Sequence, residues 1–367
     1  MKAQLPLHGG DLQQASKHFD VPVEQWIDLS TGINPESYPI TKLDGAAFQQ
    51  LPYLKPDFIQ AAKSYYLGDD NKDLGVDNLL SVSGSQAVIQ LLPECLPPLP
   101  VLLPELGYQE HRLQWQQSGA EVTNYPSMAH EASISFINKS LQQNNRQHLV
   151  IINPNNPSGL TFSPAQLKIW VKNLGEGAYL IIDEAFMDTQ PELSVLAEHF
   201  EPNMIVLRSF GKFFGLAGLR LGFVFAKEGL IRTLQRRLGL WAINGPAQSV
   251  ATAAFQDETW QQQARSNIRA AAEVSQALFR PLFSDLQGSQ QKANSIFHEA
   301  LFSSYCLPVS QAEKLSHFFA KRGILLRLIE LNHEYGLLRI GSINPKDKAG
   351  IRRIQETVDL YITQRAI

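Results

Sequence analysis

Three short apolar runs constrain the fold of this chain more than any other feature: His148–Asn153, Tyr179–Asp183 and Met204–Arg208. Each is apolar on both faces. A strand of that kind is stable only when covered on both sides, as in a mainly parallel sheet flanked by helices. Between the first two runs, Ser163 caps a predicted helix over Pro164–Asn173. Pro164 occupies its first turn and Gln166 completes a Ser-x-x-Gln capping box. Upstream, Asn78–Ser83, Val101–Leu103 and Glu121–Tyr125 read as further short strands and Ser85–Leu92 as a helix. This alternation is the α/β pattern, in which ligands gather at the carboxyl ends of the strands.

The character changes after about Leu240. Pro246–Phe255 and Asp257–Arg280 read as consecutive helices, the second long enough to bridge domains. A smaller α+β unit follows. Its predicted parts are a strand over Ser295–Phe302, a helix over Gln311–Arg322 closed by Gly323, and strands over Ile324–Ile329 and Tyr335–Ile343. A final amphipathic helix begins at Pro345. The expected organisation is an amino-terminal arm over 1–42, rich in Gly, Pro and Asn, a large domain over 43–250 and a small carboxy-terminal domain over 251–367.

A formal net charge of -3 across 367 residues offers no basic field for nucleic acid. No apolar run approaches the roughly 20 residues that span a bilayer. Met1–Gly10 lacks the apolar core of a signal peptide. The two cysteines, Cys95 and Cys306, lie far apart and make neither a disulfide framework nor a metal site. The nine histidines include no His-x-x-x-His pair. The expectation is therefore a cytoplasmic protein that acts on a small molecule, without metal, nucleic acid or membrane.

Chemistry concentrates in Ser209-Phe210-Gly211-Lys212-Phe213-Phe214-Gly215-Leu216-Ala217-Gly218-Leu219-Arg220-Leu221-Gly222. A phosphate loop of the Walker type fails here. It needs glycine at 206, which is Val206, and Ser or Thr after the lysine, which is Phe213. The alternative is a lysine that forms a Schiff base with a carbonyl. Ser209 and Arg220 flank it and can bind a phosphate, the arginine by a bidentate charge-assisted pair.

The string resembles the lysine signature of class I/II aminotransferases, enzymes dependent on pyridoxal phosphate. The resemblance implies fold type I, an α/β fold with a large mainly parallel-sheet domain and a smaller α+β domain. It makes Lys212 the residue that carries the cofactor. Asp183, ending Ile181-Ile182-Asp183, would pair with the protonated pyridine nitrogen. Asn156, in Asn153-Pro154-Asn155-Asn156-Pro157-Ser158-Gly159, would bond the ring oxygen. Gly84, Ser85 and Gln86 would open a helix whose N–H groups bind the cofactor phosphate. By the same comparison Tyr108 stacks on the ring and Tyr53 reaches the phosphate of the other subunit in a homodimer. Arg339 grips the substrate α-carboxylate. Where many members carry tyrosine, this chain has Phe186, so one donor to the ring oxygen is missing.

The arm narrows the resemblance. Leu7-His8-Gly9-Gly10-Asp11 and Trp26-Ile27-Asp28-Leu29-Ser30-Thr31-Gly32-Ile33-Asn34-Pro35 are similar to segments of threonine-phosphate decarboxylase-like proteins of cobalamin biosynthesis. That resemblance implies loss of CO2 from L-threonine O-3-phosphate, giving 1-amino-2-propanol O-phosphate. His8, Gly9, Gly10, Asn34 and Arg327 are candidates to hold the substrate phosphate. Two alternatives stay open: an aminotransferase of the histidinol-phosphate type, and a non-catalytic partner protein in cobalamin assembly.

Overall fold

The computed structural model describes residues 9–40, 43–68, 74–197, 200–286 and 296–365. They form two compact units. One runs from Ser37 to Gln263; the other combines the segment ending at Glu36 with the chain from Ala264 onward. In chain order the strands are β1 (Ile27–Asp28), β2 (Leu79–Val82), β3 (Val101–Pro104), β4 (Val122–Tyr125), β5 (His148–Ile152), β6 (Leu180–Asp183), β7 (Met204–Ser209), β8 (Gly222–Ala226), β9 (Ile296–Glu299), β10 (Phe302–Pro308), β11 (Ile324–Leu325), β12 (Arg327–Glu330) and β13 (Tyr335–Gly341).

The larger unit is built on a seven-stranded sheet in the order β2-β8-β7-β6-β5-β3-β4. All neighbours are parallel except β8, which is antiparallel to both β2 and β7. Every residue of β5 and β6 is buried, as continuous apolar runs require. Val150, Ile181, Ile205, Leu207 and Val224 meet Val88, Ile89 and Leu92 of the Ser85–Cys95 helix on one face. Full burial of such a side chain contributes about 1.5–3 kcal/mol, so a one-residue slip of a central strand would cost several of these at once. The chain reverses its winding between β3 and β5. The loops after these strands therefore diverge and leave room for a ligand at their carboxyl ends.

The smaller unit has a four-stranded antiparallel sheet, β12-β13-β10-β9. Leu307, Leu338 and Ile340 from its strands pack with Phe279, Leu315, Phe319, Ile354 and Val358. In the arm, Asp11 caps the Leu12–Phe19 helix by accepting from Gln14 N at 2.9 Å. Strand β1 then pairs in parallel with β11. That pairing is why the residues up to Glu36 group with the carboxy-terminal unit, where the sequence suggested a separate arm to residue 42. The other boundary, Gln263/Ala264, falls inside the Glu258–Phe279 helix rather than at residue 250.

Three local expectations need correction. Strand β8 was not foreseen, because Gly222-Phe223-Val224-Phe225-Ala226 follows directly on the lysine string. The expected strand over Ser295–Phe302 is a hairpin, β9 turning at Ala300–Leu301 into β10; Ser295 itself lies outside the described residues. The expected strand over Ile324–Ile329 breaks at Leu326. Its first part pairs with β1 and its second with β13, so the two halves serve different sheets.

Candidate active site

The lysine string leaves the carboxyl end of β7 as the single turn Phe210–Phe213 and returns as β8. Close backbone approach dictates its glycines. A Cβ on Gly211 would lie 2.6 Å from Ala217 Cα, and one on Gly222 would lie 2.6 Å from Ser85 N. Gly222 sits opposite Ser209 in the β7–β8 register, so the same contact brings the end of β7 beside the start of the Ser85–Cys95 helix. Gly84 caps that helix at φ 78°, and a Cβ there would stand 2.7 Å from Arg220 Nη2. Arg220 is itself left-handed, at φ 52°, with Nη1 donating to Ala217 O at 3.2 Å. Only a glycine lets the guanidinium come this close to the helix N-terminus, and the two together can bind an anion such as a phosphate.

Asp183 ends β6, buried to 3% exposure. Its Oδ1 accepts from Ala185 N at 3.1 Å, and its Oδ2 lies 3.0 Å from His111 Nε2. An ionised carboxylate only accepts, so the histidine donates there. His111 is the partner of Asp183 that sequence reading does not separate from the other histidines. The signal for it was position: it stands in the first turn of the Gln109–Gln117 helix, just past the end of β3. Tyr108 caps the same helix. Its hydroxyl donates to Gln86 Oε1 at 3.0 Å, and Gln86 Nε2 donates to Glu110 Oε2 at 2.8 Å. Burial above all, then the negative charges of Glu110 and Asp183, push the Tyr108 phenol up to about 12.

The loop after β5 holds Asn156. Asn153 N donates to Asp183 O at 2.8 Å, which ties this loop to the end of β6. Asn153 and Phe162 exchange two hydrogen bonds, and Asn155 Nδ2 donates to Leu106 O and Ser158 Oγ. Lys212 Nζ stands 5.6 Å from the centre of the buried Phe186 ring. Phe186 therefore offers the lysine a π face and no hydroxyl.

Behind these groups lies a buried ionic network. Arg208, on β7, donates to Glu184 Oε2 and Asp188 Oδ1, each at 2.7 Å, and to Ser194 Oγ at 3.1 Å. Tyr65 OH donates to Asp188 Oδ1 at 3.0 Å, and Val195 N donates to Glu184 Oε1 at 2.9 Å. The network pins the segment after Asp183 against the strand that leads to Ser209.

The smaller unit gathers a second set. Arg327 and Arg339 sit directly opposite each other on β12 and β13, so two like charges share one face of the sheet. Burial, then the neighbouring Arg327, lower the Arg339 pKa to about 10 against the opposing pull of Asp28. Arg339 also donates to Ser30 O. Asp28 Oδ1 accepts from both Ser30 N and Ser30 Oγ, and Gly10 N donates to Ser30 Oγ at 2.8 Å. A Cβ on Gly9 would fall 2.3 Å from Ser30 O. Gly9, Gly10 and Arg339 thus converge on one serine. Asn34 is buried, its Oδ1 accepting from Glu36 N at 3.0 Å. His8 lies outside the described residues. Tyr53 is 69% exposed in the larger unit, its ring 6.1 Å from that of Trp241.

Comparison with known proteins gives the family. The family model "Aminotransferase class I and II" matches residues 4–341. A threonine-phosphate decarboxylase of Pseudomonas aeruginosa is 36% identical over 348 residues, 95% of each chain. One from a Sinorhizobium species is 36% identical over 260 residues, 69% of this chain and 72% of the other. Among solved structures, histidinol-phosphate aminotransferase from Sinorhizobium meliloti in complex with pyridoxal 5'-phosphate superposes with a TM-score of 0.73. It is 17% identical, and the match covers 98% of this chain and 99% of the other. At that identity the likeness speaks for the fold alone. The chain belongs to the class I and II aminotransferase family.

Proposed function

We propose that this protein is a pyridoxal-phosphate-dependent lyase that decarboxylates L-threonine O-3-phosphate to 1-amino-2-propanol O-phosphate in cobalamin biosynthesis. The observation that carries the proposal is the facing pair Arg327 and Arg339: two cations suit a substrate with both a carboxylate and a phosphate. The relatives at 36% identity support the same substrate.

The residues of the larger unit fit pyridoxal phosphate, with the Gly84–Arg220 cradle for its phosphate and the buried Asp183 for its ring nitrogen. When bound, the cofactor supplies an electron sink for the pair released at Cα. The protein's own groups do the rest. Asp183, oriented by His111, would hold a proton on the ring nitrogen. Gly84, Ser85, Gln86, Ser209 and Arg220 would hold the phosphate, and Tyr108 and Asn156 would hold the ring. Lys212 would be the residue that holds the cofactor covalently, through its amine. Lys212 would also be the group that returns a proton to Cα. Phe186 supplies no hydroxyl, so the ring oxygen would have one donor fewer than beside a tyrosine.

Which bond at Cα breaks would be decided by how the protein holds the substrate. Arg339 holds the α-carboxylate. Arg327, Asn34 and the His8-Gly9-Gly10 segment hold the phosphate. Together they set the angle, so that the Cα–carboxylate bond breaks, CO2 leaves and a proton takes its place. Holoenzyme given threonine phosphate should release CO2 and aminopropanol phosphate in equal amounts without a 2-oxo acid. The kcat/KM for unphosphorylated threonine should be at least about a hundredfold lower, because donors built for a phosphate are left unpaired. Turnover that depends on a 2-oxo acid would instead establish the aminotransferase alternative.

The proposal includes a homodimer in which Tyr53 serves the neighbour's cofactor phosphate. Tyr53, Leu54, Leu240 and Trp241 are exposed apolar or aromatic side chains lining one shallow cleft, and clustered exposure of this kind marks interfaces. Sedimentation of the active enzyme should give a dimer near 82 kDa, twice the 41.0 kDa chain. A fully active monomer would reject this part.

A further inference from the structure

We propose that Glu110 is a positioning residue: it locks the side-chain amide of Gln86 and thereby fixes Tyr108 over the cofactor ring. The inference rests on the cofactor placement proposed above.

An amide side chain has a donor end and an acceptor end, and its orientation follows from its partners. The half-buried Glu110 carboxylate accepts only, so it draws Nε2, at 2.8 Å. The acceptor end, Oε1, is then turned to Tyr108, and the hydroxyl must donate, as it does at 3.0 Å. With the amide reversed, the carbonyl oxygen would face the carboxylate, two acceptors with no proton between them.

The link closes a ring of structure. Tyr108 caps the Gln109–Gln117 helix and Glu110 lies in its first turn. Gln86 lies in the first turn of the Ser85–Cys95 helix, next to the Gly84–Arg220 cradle. The chain Glu110–Gln86–Tyr108 therefore couples the group that holds the phosphate to the group that covers the ring. Neither residue type nor spacing shows this in the sequence, since Gln86 and Glu110 are 24 positions apart.

The test uses the holoenzyme and reads bound pyridoxal phosphate by visible circular dichroism, which reports how rigidly the ring is held, and by equilibrium titration. Glu110→Ala should weaken cofactor affinity about tenfold and diminish the dichroic band, the scale of one charge-assisted hydrogen bond. Glu110→Gln, whose Oε1 can still accept from Gln86, should restore both. In a Tyr108→Phe background, Glu110→Ala should add little, because the lock then has nothing to hold. Unchanged affinity and dichroism in Glu110→Ala would overturn the lock and leave the cofactor placement standing. An equal loss in both backgrounds would overturn it too, by showing that Glu110 acts without Tyr108. Wild-type protein that shows no dichroic cofactor band would overturn the cofactor placement and this inference with it.

Discussion

Lys212→Ala should lower turnover of threonine phosphate by at least about a thousandfold, because one substitution removes both the nucleophilic amine and a proton carrier. The side chain is half-buried, and the turn that carries it is held by backbone contacts that the substitution leaves alone: Gly211 against Ala217 and Gly222 against Ser85. The variant should therefore fold with an unchanged far-ultraviolet spectrum, and the loss should appear in kcat. The phosphate cradle is also untouched, so the variant should retain weak, non-covalent affinity for pyridoxal phosphate. In the wild-type protein, borohydride followed by peptide mapping should place the pyridoxyl group on Lys212. A label on any other lysine would reject the assignment.

The largest stability effect should come from Arg208. Replacing it with alanine is expected to cost about 3–5 kcal/mol, the range for removing one partner of a buried ion pair. Arg208, Glu184 and Asp188 have side-chain exposures of 2%, 0% and 1%. Burial works against the charge on Arg208, but Asp188 and Glu184 outweigh it and raise its pKa; burial pushes the Glu184 carboxyl up. Without the guanidinium, two carboxylates remain in the core with no cation between them. Equilibrium unfolding in urea measures the loss. Adding Glu184→Gln and Asp188→Asn to the variant should recover part of it, since the uncompensated charges are then gone. A loss below about 1 kcal/mol, the scale of an exposed pair, would show that the network contributes little. Because Glu184 follows Asp183 and Arg208 precedes Ser209 in the chain, the variant should also weaken cofactor binding.

Much of the larger unit was legible because its elements are strongly patterned. Runs buried on both faces, such as Leu149–Ile152, have no other stable use in an α/β domain, and Ser163 with Pro164 marks a helix start with little ambiguity. Strand β8 was harder to see, since its glycine is shared with the lysine turn and an apolar pentamer carries no direction. The site divided along a similar line. Lys212, Asp183, Asn156 and Arg220 stand in a motif order that local sequence displays. His111, Glu110 and the Arg208 network do not, because each gains its role from a partner 20 to 72 positions away.

The sequence by itself determined the fold class and the family, and it singled out the lysine string. Burial periodicity and close-packed glycines are local properties, and a cofactor motif must keep its spacing to work. Only the tertiary structure decided that the segment ending at Glu36 joins the carboxy-terminal unit through the β1–β11 pair. It alone set Arg327 opposite Arg339 by strand register and placed His111 behind Asp183. Register and side-chain partnership depend on which distant strands and helices pack together. That choice is made by summed burial over the whole core, and no short stretch of sequence records it.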